Sequence, residues 1–213
     1  MTQTRPNTVT FSTAGQSLDA QLEQMRANTL AEVGGKNYPG LWHERITGPL
    51  GVTDTGVRLT KEQCDRLITG SGIGGPGPCA DTDATAGSGG LYSTGNDMTR
   101  WLRHNLADGD RAVWPSLALA HAVYRQRQAM IAAIGFDEAG MMDGLALGWV
   151  VMAAHGHTPL IMQKSGGGGF MSNIAFVPSR EVRLFVAVNR VDFTMFFGLS
   201  TAANELLASL APR

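Results

Sequence analysis

The chain has 213 residues, enough for one substantial core that buries roughly 70% of the unfolded surface. Charged residues are 16% of the total, the formal net charge is −1 and no dense Lys/Arg cluster occurs, so nothing marks a nucleic-acid or anionic-membrane surface. No apolar run reaches the roughly 18 residues of a membrane span, and residues 1–7 lack the hydrophobic segment of a secretory signal.

In chain order, residues 17–33 are predicted as a helix capped by Ser17, with Leu18, Leu22, Met25 and Val33 near one face and Gly34-Gly35 as its stop. A short helix around residues 41–46 is expected to end at Gly48-Pro49. Residues 69–90 form a loop dense in Gly, Pro, Ser and Asp, longer than an ordinary connector. Cys64 and Cys79 fit either a disulfide or two thiols, and the irregular context weighs against pairing. A second helix is predicted from Thr94–Asn96 to Gly109 with Met98, Trp101, Leu102 and Leu106 as its stripe. A third follows Pro115, with Leu117, Ala120, Tyr124, Ile131 and Ile134 at helical intervals.

The texture then changes. Residues 145–152, 159–164, 172–177 and 182–189 are short β-rich apolar runs between turn signals, and Pro178 to Glu181 tightly connects the last two. From Phe193 the chain reads as a helix with Met195, Leu199, Ala202, Leu206 and Leu210 on one stripe. Helices, an antiparallel meander and a covering helix indicate an α+β layer fold, expected as one domain over 1–213.

The chemistry-bearing stretch is Lys164-Ser165-Gly166, followed by Gly167-Gly168-Gly169-Phe170. A cation, a hydroxyl and bare backbone at a strand end can hold a carboxylate and approach a reacting carbonyl. K-[ST]-G is one of three elements of the penicillin-recognising serine hydrolases, beside S-x-x-K and Y-x-N or S-D-N. The chain has three lysines, Lys36, Lys61 and Lys164, preceded at three places by Val33, Arg58 and Ile161. No S-x-x-K therefore occurs.

Gly89-Gly90-Leu91-Tyr92-Ser93-Thr94-Gly95-Asn96-Asp97-Met98-Thr99-Arg100-Trp101-Leu102 resembles the G-G-L-x-S-T-x-x-D-M-x-R-W/F-L signature of class C β-lactamase-like proteins. Gly48-Pro49-Leu50-Gly51-Val52-Thr53-Asp54-Thr55 resembles their P-L-G-M-x-D-T segment. Gln163 to Phe170 is similar to their third active-site element, most of all in penicillin-binding DD-peptidases of the AmpH type. The segments stand in the family's order, and the resemblance covers most of residues 35–210.

The resemblance implies a β-lactamase/transpeptidase-like fold, an antiparallel sheet flanked by helices, of which this chain is the C-terminal portion. The parent reaction is acyl transfer to water from a β-lactam, a D-alanyl peptide or an ester, with no cofactor and, in most members, a periplasmic or secreted setting. Lys164 would contribute positive potential, and Ser165 would donate to the substrate carboxylate. Gly166 and Gly167 would line the substrate, with the Gly167 N–H as one of two oxyanion donors. The second donor belongs to the nucleophile, which this chain lacks. The nearest equivalent of Y-x-N is Phe11-Ser12-Thr13, where Phe11 has no hydroxyl to exchange a proton and Thr13 replaces the asparagine. The expectation is a chain inactive by the S-x-x-K route, with a small-molecule or peptide acyl donor as partner once an N-terminal part completes it.

A second expectation is a non-catalytic binding module, because without the family's early strands a hydrophobic strand edge is open to self-association. A third is hydrolysis through Ser88 or Ser93. Gly70-x-Gly72-x-x-Gly75 matches a dinucleotide fingerprint in letters, but lacks the preceding strand and following helix that bind phosphate. Ser88 lies in a near miss for a nucleophile elbow, without the strand that motif requires. His155-Gly156-His157 has no third ligand, so no metal is expected.

Overall fold

The computed structural model describes residues 18–71, 79–82, 86–87, 90–107, 111–131, 142–152, 161–166 and 169–211. Its organising element is a six-stranded sheet in the order β1 (Arg125–Gln126), β2 (Gly144–Leu145), β3 (Val150–Met152), β4 (Ile161–Gly166), β5 (Met171–Val177) and β6 (Val182–Val188). Every neighbouring pair is antiparallel, so the sheet is a plain meander.

The strands are apolar on both faces because helices cover both. On one face α7 (Phe193–Leu210) brings Leu207 against Val150, Met152, Ile161, Ala175 and Val177. On the other, Leu102 and Leu106 from α5 (Gly95–Asn105) and its C-terminal end pack with Trp149, Val151 and Phe176. Alternation along β5 sorts Ala175 and Val177 to one cluster and Ile174 and Phe176 to the other, as a two-residue period requires. The expected layer fold, a sheet between helices, is the one observed.

The helical part begins with α1 (Leu18–Gly34), terminated by Gly35 at φ 63°, a left-handed geometry that costs glycine little. The part of the predicted stripe whose side chains are described does not face the core. Ala27 is buried on the opposite side, while Met25 and Val33 are 63% and 84% exposed. α1 packs on α2 (Tyr38–Trp42), and Gly34 leaves room there for Leu41.

The short helix predicted at 41–46 is the middle of a longer helical run. α2 is capped by the Asn37 side chain, passes into a π turn over His43–Thr47 and continues as α3 (Gly48–Leu50) to Gly51 at φ 62°. Gly48-Pro49 does not stop it. Pro49 has no N–H to give an i→i−4 ladder, and the preceding turn has the wider π spacing.

Two further expectations give way. The helix after Pro115, α6, spans Trp114–His121 and then breaks. Tyr124 N–H bonds the Leu145 carbonyl and Arg125 pairs with Leu145, so sheet pairing claims the residues that periodicity gave to a helix. Ile134 lies outside the described residues. The run 145–152 is a hairpin, folding back between β2 and β3 with Gly148 at φ 72°. One helix went unpredicted: α4 (Lys61–Asp65) has Thr60 and Gln63 in a reciprocal capping box, the sequence signal for a helix start.

Candidate functional site

Lys164, Ser165 and Gly166 end β4, an interior strand between β3 and β5. Their backbones pair with Ile174, Asn173 and Ser172 of β5 respectively. β3 reaches β4 only as far as Gln163, so Lys164 to Gly166 are held by β5, which is itself held by β6 on its other side. The described chain resumes before β5 with Gly169, at φ 88°, and Phe170. A rigid strand fixes position more tightly than a loop does, which suits a group that must meet a ligand. Gly167, Phe11, Thr13, Ser88 and the histidines at 155 and 157 lie outside the described residues.

Beneath this strand end is a polar pair inside the sheet–helix layer. Asn173, opposite Ser165 in register and fully buried, donates from Nδ2 to Ser200 Oγ of α7 at 3.4 Å.

The approach of Thr69-Gly70-Ser71 to the glycine turn was not legible in the sequence. Ser71 N–H donates to the Asn189 carbonyl at 2.9 Å, and Val191 N–H donates to the Ser71 carbonyl at 2.8 Å. Ser71 and Arg190 form a parallel bridge. Gly70 faces Gly169 and Phe170 with no room for a side chain. In the glycine fingerprint starting at Gly70, that residue is therefore a packing contact, not a phosphate turn. Cys64 and Cys79 bracket the segment and are joined by a disulfide with Cα atoms 5.7 Å apart, the alternative that the irregular sequence context had weighed against.

The other two lysines serve elsewhere. Lys36 is hydrogen-bonded to Glu44, and Lys61 pairs with Asp65 at 2.7 Å on α4. Ser93 Oγ meets Thr55 Oγ1 at 2.9 Å and donates to the Thr94 carbonyl. Neither partner is a base, so the hydroxyl lacks the activation a nucleophile needs.

The two other motif segments meet each other rather than β4. The buried Asp97 carboxylate accepts from Asp54 N–H at 2.8 Å, Thr55 Oγ1 at 2.7 Å and Arg100 Nη1 at 3.2 Å. Arg100 Nη1 also donates to the Gly51 carbonyl. The Arg66 guanidinium, and after it the Gln63 amide, hold the exposed Asp54 carboxyl below the usual carboxylate range. This network is a structural pin between the Asp54-Thr55 loop and the start of α5.

Among the described residues, a cavity of about 460 Å³ opens between Ile46, Pro49, Leu50 and the basic groups Arg45, Arg100 and Arg103. A smaller one of about 290 Å³ lies beside Gly144 and Val151. No group of three or more His, Cys, Asp or Glu among the described residues is arranged to hold a metal ion.

Comparison with known proteins identifies the family and the fold. The family described as Beta-lactamase matches residues 27–208. The D-alanyl-D-alanine-carboxypeptidase/endopeptidase AmpH of Escherichia coli K12 is 38% identical over 186 residues, which is 87% of this chain and 48% of that protein. The chain therefore spans about half the length of the curated relatives it matches. The crystal structure of a β-lactamase/D-alanine carboxypeptidase from Yersinia pestis, complexed with citrate, superposes with a TM-score of 0.79 at 38% identity. That match covers 90% of this chain and 54% of the other. A class C β-lactamase from Rhodobacter sphaeroides shares the fold at a TM-score of 0.65 and 17% identity, covering 88% of this chain and 60% of that one.

Proposed function

The chain belongs to the beta-lactamase family, and from that premise we propose that it supplies the substrate-holding wall of a serine acyl hydrolase. The observation that carries this reading is the position of Lys164-Ser165-Gly166 at the end of β4, in register with β5 and followed in sequence by a run of glycines. The cation and the hydroxyl there suit the terminal carboxylate of an acyl donor, since charge-assisted hydrogen bonds are the strong ones. The N–H of Gly167 is assigned to the oxyanion that forms when the carbonyl is attacked. One such donor, correctly aimed, is worth about 3–4 kcal/mol of transition-state stabilisation.

Among β-lactams, D-alanyl peptides and esters, the D-alanyl peptide is favoured, because both relatives at 38% identity are named for D-alanine carboxypeptidase activity. The attacking serine and its lysine are not encoded here, as no S-x-x-K occurs. By itself the chain binds the acyl donor without turning it over. The Phe11-Thr13 position, where the family's tyrosine and asparagine stand, is assigned no proton-transfer role.

Nitrocefin and p-nitrophenyl ester assays on the purified chain test this. The expected result is background hydrolysis, with turnover appearing only after mixing with a polypeptide that carries S-x-x-K. Turnover by the chain alone that persists in Lys164→Ala contradicts it.

One observation favours a second reading, a self-associating module. β6 is a seven-residue edge strand that, among the described residues, pairs along its length only with β5. Ser71 bridges only to Arg190, beyond the end of β6. An open apolar edge is a template for another strand. Light scattering across a concentration series tests it, and a stable monomer at high concentration rules it out.

A further inference from the structure

Gly70 and Gly169 lie far apart in sequence, yet their backbones touch. A methyl group on Gly70 would stand 2.6 Å from the Gly169 carbonyl oxygen, 3.0 Å from its carbonyl carbon and 3.0 Å from Cε2 of the Phe170 ring. Two of these three contacts are backbone, which cannot swing aside as the tip of a flexible side chain can. Gly169 at φ 88° is in turn confined to a geometry that few residues other than glycine adopt.

The segment that carries Gly70 is fixed along its length. Besides the two backbone bonds of Ser71, Ser71 Oγ donates to the Asn189 carbonyl at 2.9 Å, and Asn189 Nδ2 donates to the Thr69 carbonyl at 3.2 Å. Asn189 follows β6, which pairs with β5 from Met171↔Val188 onward. The same three residues therefore contact the end of β6 and the turn before β5. The Cys64–Cys79 disulfide closes the chain around them at a separation of 15 residues, which shortens the excursions open to the segment between.

We propose that Thr69-Gly70-Ser71 is a strap that positions Gly169 and Phe170 at the entry to β5, and that the Cys64–Cys79 disulfide holds the strap in place. Gly70 is a positioning residue: it acts on a ligand only through Gly169 and Phe170. The consequence for acyl-donor binding rests on the substrate-holding role proposed above. The positioning itself does not.

The test uses the full chain, ¹⁵N-labelled, with an N-acetylated D-Ala-D-Ala peptide as the probe. Gly70→Ala is compared with Gly198→Ala, whose added methyl meets open space on α7. Gly70→Ala is expected to shift the amide resonances of Gly169, Phe170 and Asn189 and to weaken peptide binding about tenfold or more, as a displaced binding group does. Gly198→Ala should do neither. Adding Phe170→Leu to Gly70→Ala should not restore binding, because the shortest contact is to a carbonyl oxygen. Reducing the disulfide of the unsubstituted chain with a dithiol, which is itself oxidised to its cyclic disulfide as two thiols form, should move the same three resonances.

The proposal is overturned if Gly70→Ala leaves Gly169 and Phe170 where they were, if it binds the peptide as the parent does, or if reduction does not disturb these amides. If the parent chain does not bind the peptide, the carboxylate-gripping reading fails, and the amide shifts alone decide whether the strap stands. If Gly70→Ala does not fold, the reduction experiment decides it in the same way.

Discussion

Thr55 Oγ1 donates a 2.7 Å hydrogen bond to Asp97 Oδ2, joining a loop to the first turn of α5 across 42 residues of sequence. Asp54 N–H reaches the same oxygen at 2.8 Å, while the other carboxylate oxygen takes Arg100. The acid and threonine of these two family segments thus explain each other: the carboxylate is buried, and its lone pairs are met by the opposite loop. Asp97→Ala strands the Asp54 N–H and the Thr55 hydroxyl and should cost about 3 kcal/mol. Asp97→Asn should cost less, since an amide oxygen still accepts. Urea denaturation of the two variants checks the order, and equal stability of Asp97→Ala and the parent would contradict it.

The Cys64–Cys79 disulfide restricts the unfolded chain more than the folded one. At a separation of 15 residues, loop-closure entropy gives about 3 kcal/mol. Denaturation with and without dithiothreitol should show a loss of this order, with the m-value rising as the unfolded state expands. An unchanged midpoint would mean that the two cysteines do not pair in solution.

His121 at the end of α6 lies T-shaped to Trp149 and tilted to Phe176, with ring centroids 6.1 and 5.2 Å away, and its Nε2 meets Asn105 Oδ1 at 3.2 Å. Burial, and after it the neighbouring His104, holds its pKa below the ordinary 6.5. The unfolded chain therefore binds a proton at a higher pH than the folded one. Stability is level above pH 6.5 on this account, falls as the pH drops through it, and levels off again below the folded pKa. His121→Gln keeps a donor for Asn105 and cannot titrate, so its stability should be flatter with pH between 6.5 and 5. Parallel pH–stability curves for parent and variant would contradict this.

The sheet and its order of elements were legible because apolar runs of strand length, separated by Gly/Pro turns, leave few alternatives. β5, β6 and α7 fall within a residue or two of expectation. The reading failed where tertiary pairing overrode local periodicity. Tyr124 sits at a helical interval, but it and Arg125 pair with β2, and α1 buries Ala27 while Met25 and Val33 are exposed. α4 was readable from Thr60 and Gln63 and was overlooked. At the candidate site, a three-residue motif pointed to Lys164, Ser165 and Gly166. Gly70 could not be found this way, because its role depends on a contact between distant segments that no local pattern encodes.

The account turns on whether the end of β4 grips a carboxylate. Binding of an N-acetylated D-Ala-D-Ala peptide to the full chain, measured by calorimetry for the parent and for Lys164→Ala, tests that most directly. Loss of a cation facing the ligand's carboxylate should weaken binding about tenfold or more, with the effect shrinking as salt is added. Equal affinity in parent and variant, or no binding by the parent, would contradict the account.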